Sequence, residues 1–253
     1  MTRKTPLFFL HGWAMVPAVW QPLIAALGAE KSGFGIHAPV LPGHDGNVAD
    51  IAPALAAWAD ALAPGLPLGS TAVGWSLGAL LALELARSRP ERVERLILFS
   101  ATPRFVSMPD WPHGLDTAVV ASFTDGYLGQ PTQTLRRFLA LQTLGDAFRR
   151  QLLPQLEAVA VPHARHPLSA LACGLKILAE SDLRPYLAQI RQPVHLIHGN
   201  DDALMPIDAA RWLAAALPRA SLTVFGQCGH APLLSHPDDC AALVRAILDN
   251  DVP

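Results

Sequence analysis

Short apolar runs alternate with longer stretches whose apolar residues recur at helical spacing. Pro6-Leu7-Phe8-Phe9-Leu10 is the first run. Apolar residues at successive positions, rather than at every second one, predict a strand buried on both faces of a parallel sheet. Comparable runs occupy residues 35–40, 71–73, 93–100, 193–199 and 220–225. Helix spacing marks residues 19–27, 51–62, 77–87, 207–217 and 237–248 between and after them. Alternation of this kind predicts an α/β fold with a mostly parallel, doubly wound sheet of about six strands. Ligands of such sheets bind at the carboxyl ends of the strands.

From residue 102 to 182 the strand-like runs disappear. Residues 116–128, 132–144, 147–159 and 168–179 read as helices separated by Gly or Pro. The expected organisation is therefore a core of residues 1–101 and 183–253 with an inserted helical cap, 102–182, over the strand ends. Phe123, Phe138, Leu139 and Leu141 could line an apolar tunnel there, although packing within the cap explains most such residues as well. Arg136, Arg137, Arg149 and Arg150 make the cap locally basic, although any single one of them reads more simply as solvated surface.

Composition narrows the function. The chain has 253 residues, 51% of them hydrophobic and 16% charged, and a formal net charge of -2. That balance points to one large core and to neither nucleic acid nor an anionic membrane as bulk partner. No run is long enough for a transmembrane helix. The first residues do not read as a secretory signal. Cys173, Cys228 and Cys240 have no metal-ligand spacing and read as reduced thiols. A cytoplasmic protein, expected to be monomeric, follows.

The chemistry concentrates in Gly74-Trp75-Ser76-Leu77-Gly78. An apolar run feeds into this Gly-x-Ser-x-Gly sequence and an Ala/Leu-rich helix pattern leaves it. That context predicts a nucleophile elbow, in which a strand turns sharply into a helix and exposes the serine. Small residues two places either side of Ser76 meet the steric need of that turn. His11-Gly12-Trp13 follows the first strand, so the backbone N–H of Trp13 and that of Leu77 form the expected oxyanion hole. His11 itself reads as structural.

A serine needs a base, and the base needs an orienting acid. This arrangement runs Ser, acid, His along the chain. His230, in Gly229-His230-Ala231-Pro232 after the last strand, is the expected base. His195 and His198 lie within a strand, His163 and His166 in the cap, and His236 beyond the loop, so they fit worse. Asp201 and Asp202 compete for the acid. The Asp-x-x-x-Pro spacing to Pro206 favours Asp202. The resulting acyl-enzyme cycle needs neither metal nor organic cofactor.

These residues, with Asp110-Trp111-Pro112, Arg137-Phe138-Leu139-Ala140-Leu141-Gln142-Thr143, Asp182-Leu183-Arg184 and Ser235-His236-Pro237, resemble the α/β-hydrolase superfamily over the whole chain. Within it they resemble the pimeloyl-[acyl-carrier protein] methyl ester esterases of biotin synthesis. The resemblance implies a Ser76, Asp202, His230 triad. It also implies substrate contacts from Trp13, Ser76, Leu77, Phe138, Leu139, Ala140, Leu141, Gln142 and His230. Hydrolysis of the methyl ester on a pimeloyl chain attached to acyl carrier protein is the implied activity. Cap arginines meet the acidic carrier in that family; Arg137 and Arg150 match, and Arg136 and Arg149 substitute for positions that do not. The hairpin that usually precedes the first strand is expected to be absent or reduced, and Ala79 stands where glycine is common.

Other readings share the elbow. A broad short-chain carboxylesterase or lipase, or a carbon–carbon bond hydrolase, would differ only in the cap. A non-catalytic hydrolase-fold binder would not need all of Ser76, Asp202 and His230. A dehalogenase would carry Asp at the elbow.

Overall fold

The computed structural model describes residues 5–28, 34–44, 51–161 and 168–249. His163 and His166 lie outside them. The sheet strands are β1 (Leu7–Leu10), β2 (Ile36–His37), β3 (Ser70–Trp75), β4 (Val93–Phe99), β5 (Val194–Gly199) and β6 (Ala220–Phe225). Their spatial order is β2-β1-β3-β4-β5-β6, and every neighbouring pair is parallel. Core helices are α1 (Gln21–Leu27), α2 (Leu55–Leu62), α3 (Leu77–Ser88), α8 (Ile207–Ala216), α9 (Pro232–Ser235) and α10 (Pro237–Asp249). Between β4 and β5 come α4 (Thr117–Gly129), α5 (Pro131–Gln142), α6 (Arg149–Val159) and α7 (Leu168–Glu180).

Every residue of β1 and β3 is buried, as an interior strand covered on both faces requires. The edge strand β6 is only partly buried. Two expected elements are shorter than their patterns. The strand at 35–40 is confined to Ile36–His37, because Pro39 has no N–H to give a ladder. The helix expected from residue 51 starts at Leu55, beyond Pro53, which disfavours helical backbone in the residue before it. The short helix α9, directly after His230, was not apparent in the apolar pattern.

Register aligns the ends of the central strands. Leu10 lies opposite Gly74, Gly74 opposite Leu98, and Leu98 opposite Leu196. The loops leaving β1, β3, β4 and β5 therefore emerge side by side. The helices between β4 and β5 are tied to the first of these loops by Trp13. Its indole N–H donates to the Leu171 carbonyl at 2.8 Å. Its ring meets Phe123, Tyr127 and Phe138 edge-on, with centroids 5.7, 5.3 and 5.0 Å away.

Candidate active site

Ser76 occupies the turn between β3 and α3 with φ 58° and ψ -118°. A non-glycine residue at positive φ is strained and persists only where its surroundings hold it. Here the Ser76 N–H donates to the Phe99 carbonyl at 3.1 Å, and the Ser76 carbonyl accepts from Ala79 at 2.9 Å. The glycines on either side permit this crossing. A Cβ at Gly74 would collide with Gly78 and Ala79, and one at Gly78 would collide with the Leu10 and His11 carbonyls. The Ser76 hydroxyl makes no capping bond to α3. It is left beside the helix N-terminus, where N–H groups favour negative charge.

The expected oxyanion donors are close by. Leu77 is the first residue of α3, and a first-turn N–H has no acceptor within its own helix. The β1 loop presses directly on the elbow: a Cβ at Gly12 would lie 3.1 Å from the Trp75 ring and 3.5 Å from Ser76 Cβ. His11 is structural. It is fully buried, and its Nε2 accepts from the Leu41 N–H at 3.1 Å.

Burial separates the two acids. Asp201 is exposed, while Asp202 is buried and 2.7 Å from His230. Asp202 Oδ1 accepts the N–H groups of Leu204 and Met205, both at 2.9 Å. Its Oδ2 accepts from His230 Nδ1. Burial pushes the Asp202 carboxyl up, but the charge and hydrogen bond of His230, with His198 and the Met205 N–H, leave it below the ordinary carboxylate range. A carboxylate only accepts, so Nδ1 carries the proton and Nε2 presents a lone pair. Nε2 is buried and has no hydrogen-bond partner among the described residues. An imidazole so oriented, with its free nitrogen in a dry site, can act as a general base.

Several residues that hold this arrangement were not apparent from sequence. The His230 carbonyl accepts from Trp75 Nε1 and from Ser100 Oγ, each at 2.8 Å. The His230 N–H donates to the Gln142 carbonyl at 2.9 Å, and Asp146 Oδ2 accepts the Gly229 N–H at 3.0 Å. His198, set aside as a strand residue, ends with Nε2 3.4 Å from Asp202 Oδ2 and 2.7 Å from the Met205 carbonyl. Burial lowers its pKa, against the opposing pull of Asp202 and the Met205 carbonyl. The one available signal was its place near the carboxyl end of β5, four residues before Asp202. Cys228 is not a competing nucleophile, because burial pushes its thiol up to about 12.

An apolar cavity is lined by Phe105, Leu115, Val119, Val120, Phe123, Phe138, Leu141, Leu175, Leu178 and Leu204. Of the α5 segment expected to meet substrate, Phe138 and Leu141 line it. Their three-residue spacing puts them on one helix face. Leu139 is buried and Ala140 half-buried, and neither lines this cavity. Gln142 is buried, and neither its amide nitrogen nor its amide oxygen has a hydrogen-bond partner among the described residues.

Arg136 and Arg137 on α5, and Arg149 and Arg150 opening α6, are all exposed. Cations at a helix N-terminus oppose its dipole, so helix stability does not account for Arg149 and Arg150.

An alpha/beta hydrolase family profile matches residues 7–243. The chain belongs to the alpha/beta hydrolase family. It is 48% identical over 251 residues to a pimeloyl-[acyl-carrier protein] methyl ester esterase of Aromatoleum aromaticum, covering 97% of this chain and 99% of that one. It is 33% identical to the biotin biosynthesis bifunctional protein of Teredinibacter turnerae, covering 99% of this chain and 46% of that longer protein. Among solved structures, an esterase from Exiguobacterium antarcticum superposes with a TM-score of 0.86 at 18% identity, covering 98% of this chain and 93% of that one. That last likeness concerns the fold alone. The membership agrees with the parallel six-stranded sheet, and with an elbow whose serine sits at positive φ.

Proposed function

We propose that the chain is a serine carboxylesterase that hydrolyses the methyl ester of a pimeloyl group carried by acyl carrier protein, in biotin synthesis. One observation carries the chemistry: a buried His230–Asp202 pair at 2.7 Å whose His230 Nε2 has no partner among the described residues, in a chain whose elbow holds Ser76 at positive φ. His230 takes the Ser76 proton as Ser76 Oγ attacks the ester carbonyl. The N–H groups of Trp13 and Leu77 receive the oxyanion. His230 returns the proton to the leaving methoxide, and methanol departs. Water, activated by the same nitrogen, then hydrolyses the acyl-serine. The chain's own residues suffice for each step, with no metal or organic cofactor.

The substrate assignment rests on the relatives and on the cap. An apolar cavity walled by Phe138 and Leu141 suits a methylene chain. Exposed Arg136, Arg137, Arg149 and Arg150 suit an acidic carrier. In this reading residues 102–182 form the cap and residues 1–101 and 183–253 the core. The protein acts as a monomer in the cytoplasm, which suits its three free cysteines. Among the described residues no helix is long and apolar enough to cross a membrane.

Expression in a biotin-requiring strain that lacks its own pimeloyl methyl esterase tests the proposal. Growth without biotin is expected from the parent and not from Ser76→Ala. Failure of soluble parent protein to rescue, while it still cleaves p-nitrophenyl butyrate, would replace this substrate with a broader range of short esters.

A further inference from the structure

His230 is gripped from two sides. From the sheet, Trp75 and Ser100 hold its carbonyl. From the cap, the turn joining α5 to α6 holds the main chain of its loop. The Gln142 carbonyl accepts the His230 N–H at 2.9 Å, and the Ala147 N–H donates to the Gln227 carbonyl at 2.9 Å. Between them Asp146 Oδ2 accepts the Gly229 N–H at 3.0 Å, while its Oδ1 accepts the Phe148 N–H at 2.8 Å. The contact is backbone against backbone. A Cβ at Gly229 would lie 2.8 Å from the Gln142 carbonyl oxygen and 3.1 Å from that of Leu144.

We infer that Asp146 is a positioning residue for the base, and that through it the cap holds His230 in line with Ser76. The inference rests on the serine-esterase reading. Among the described residues Asp146 makes no hydrogen bond to Ser76 or to Asp202; it holds the N–H of Gly229, the residue before His230. It is also buried, at 7% exposed. A buried carboxylate bridging two N–H donors costs more to remove than either bond alone, because both donors are then left without partners. The N–H groups belong to different segments, so losing the bridge removes the one side-chain tie, among the described residues, between the 227–230 loop and the turn and leaves only the two backbone bonds to hold the base loop. The same helix that carries Gln142 also presents Phe138 and Leu141 to the apolar cavity. Its packing and the placement of the base are therefore mechanically continuous. A displaced imidazole binds substrate as before but takes the serine proton less often. The loss falls on kcat rather than KM.

The test compares Asp146→Ala, Asp146→Asn and the parent on p-nitrophenyl butyrate, with the rate of Ser76 labelling by an organophosphonate as a second readout. In Asp146→Ala, kcat is expected to fall about ten- to hundredfold, the cost of a displacement near 1 Å. KM is expected to stay within about twofold, and labelling to slow in parallel with kcat. Asparagine keeps one acceptor oxygen for two donors, so Asp146→Asn is expected between the two. Parental kcat in Asp146→Ala, or a loss confined to KM, overturns the inference. So does Asp146→Asn as impaired as the alanine variant. If the alanine variant does not fold, the asparagine variant decides alone: a kcat lowered several-fold at unchanged KM supports the role, and parental kcat overturns it. A parent without esterase activity would instead overturn the esterase reading, whereas an active parent matched by Asp146→Ala leaves that reading standing and removes only this inference.

Discussion

The titratable groups around Asp202 are dry, and the arginines of α5 and α6 are wet. Asp202, His230 and His198 are buried and bonded to one another or to named backbone groups. Arg136, Arg137, Arg149 and Arg150 are exposed on α5 and α6. Under the proposed function the difference separates two tasks. Groups that stabilise a transition state work best preorganised and away from water, where electrostatic interactions are strongest. Groups that capture a macromolecule must stay accessible, and they act mainly on encounter rate and orientation. Local burial thus sorts residue types that the sequence alone presents as a set of acids, histidines and arginines.

The sharpest break of that comparison uses the neighbouring acids, one buried and bonded to His230 and the other exposed. Asp202→Asn is expected to lower kcat about 10³- to 10⁴-fold, because an amide no longer fixes the Nδ1–H tautomer of His230. Asp201→Asn, at an exposed position, is expected to change kcat by less than about twofold. Steady-state kinetics on a short p-nitrophenyl ester reads both. The opposite ranking would reassign the acid.

A smaller effect is expected from the cap. With Arg137→Glu and Arg150→Glu combined, kcat/KM on the carrier-linked methyl ester should fall about tenfold or more at low salt. On a free short ester it should hold. Added salt should shrink the difference between variant and parent, since exposed charges are screened over about 10 Å at 0.1 M. Equal losses on both substrates would mean that the arginines support the cap and do not meet a carrier.

The same contrast explains what could be read from the chain. The strands were legible because a sheet covered on both faces demands continuous apolar runs such as Leu7–Leu10. The candidate residues Ser76, Asp202 and His230 could be picked out because each follows a strand or its turn. Parallel register then brings those strand ends together whatever the intervening sequence. The contacts that refine the site were not legible. Asp146 and Gly229 are separated by 83 positions, and no local periodicity encodes their meeting. Gln142 reaches His230 through its main chain, and a backbone carbonyl leaves no trace in residue type. His198 belongs to β5 by pattern, and only the curl of the following turn carries Asp202 back to it. The cap helices were recognised from their spacing, but which face of α5 looks into the cavity depends on how Phe138 meets Trp13.

The mildest expected effect is thermodynamic and distinguishes the dry histidines from the wet cap. His198 has its pKa lowered by burial, partly offset by Asp202. In the unfolded chain it titrates near the ordinary value of about 6.5. Below that pH the unfolded state binds a proton that the folded state refuses, so stability falls with falling pH until the folded pKa is reached. The slope from one such group is at most about 1.4 kcal/mol per pH unit. His11 is also lowered, chiefly by burial, and adds a slope of the same sign. Asp202 contributes in a different window. Its lowered carboxyl supports the fold above about pH 4, and that support is lost only as pH falls through its folded pKa. His198→Gln keeps an amide donor for the Met205 carbonyl and removes the titration. Urea midpoints at about pH 7 and about pH 5 should therefore differ less in His198→Gln than in the parent, with a remainder from His11. Replacing Arg136 with Gln, on the exposed face of α5, should leave the parental difference intact. If His198→Gln preserves the full difference, then His198 takes up its proton in the folded state as readily as in the unfolded one.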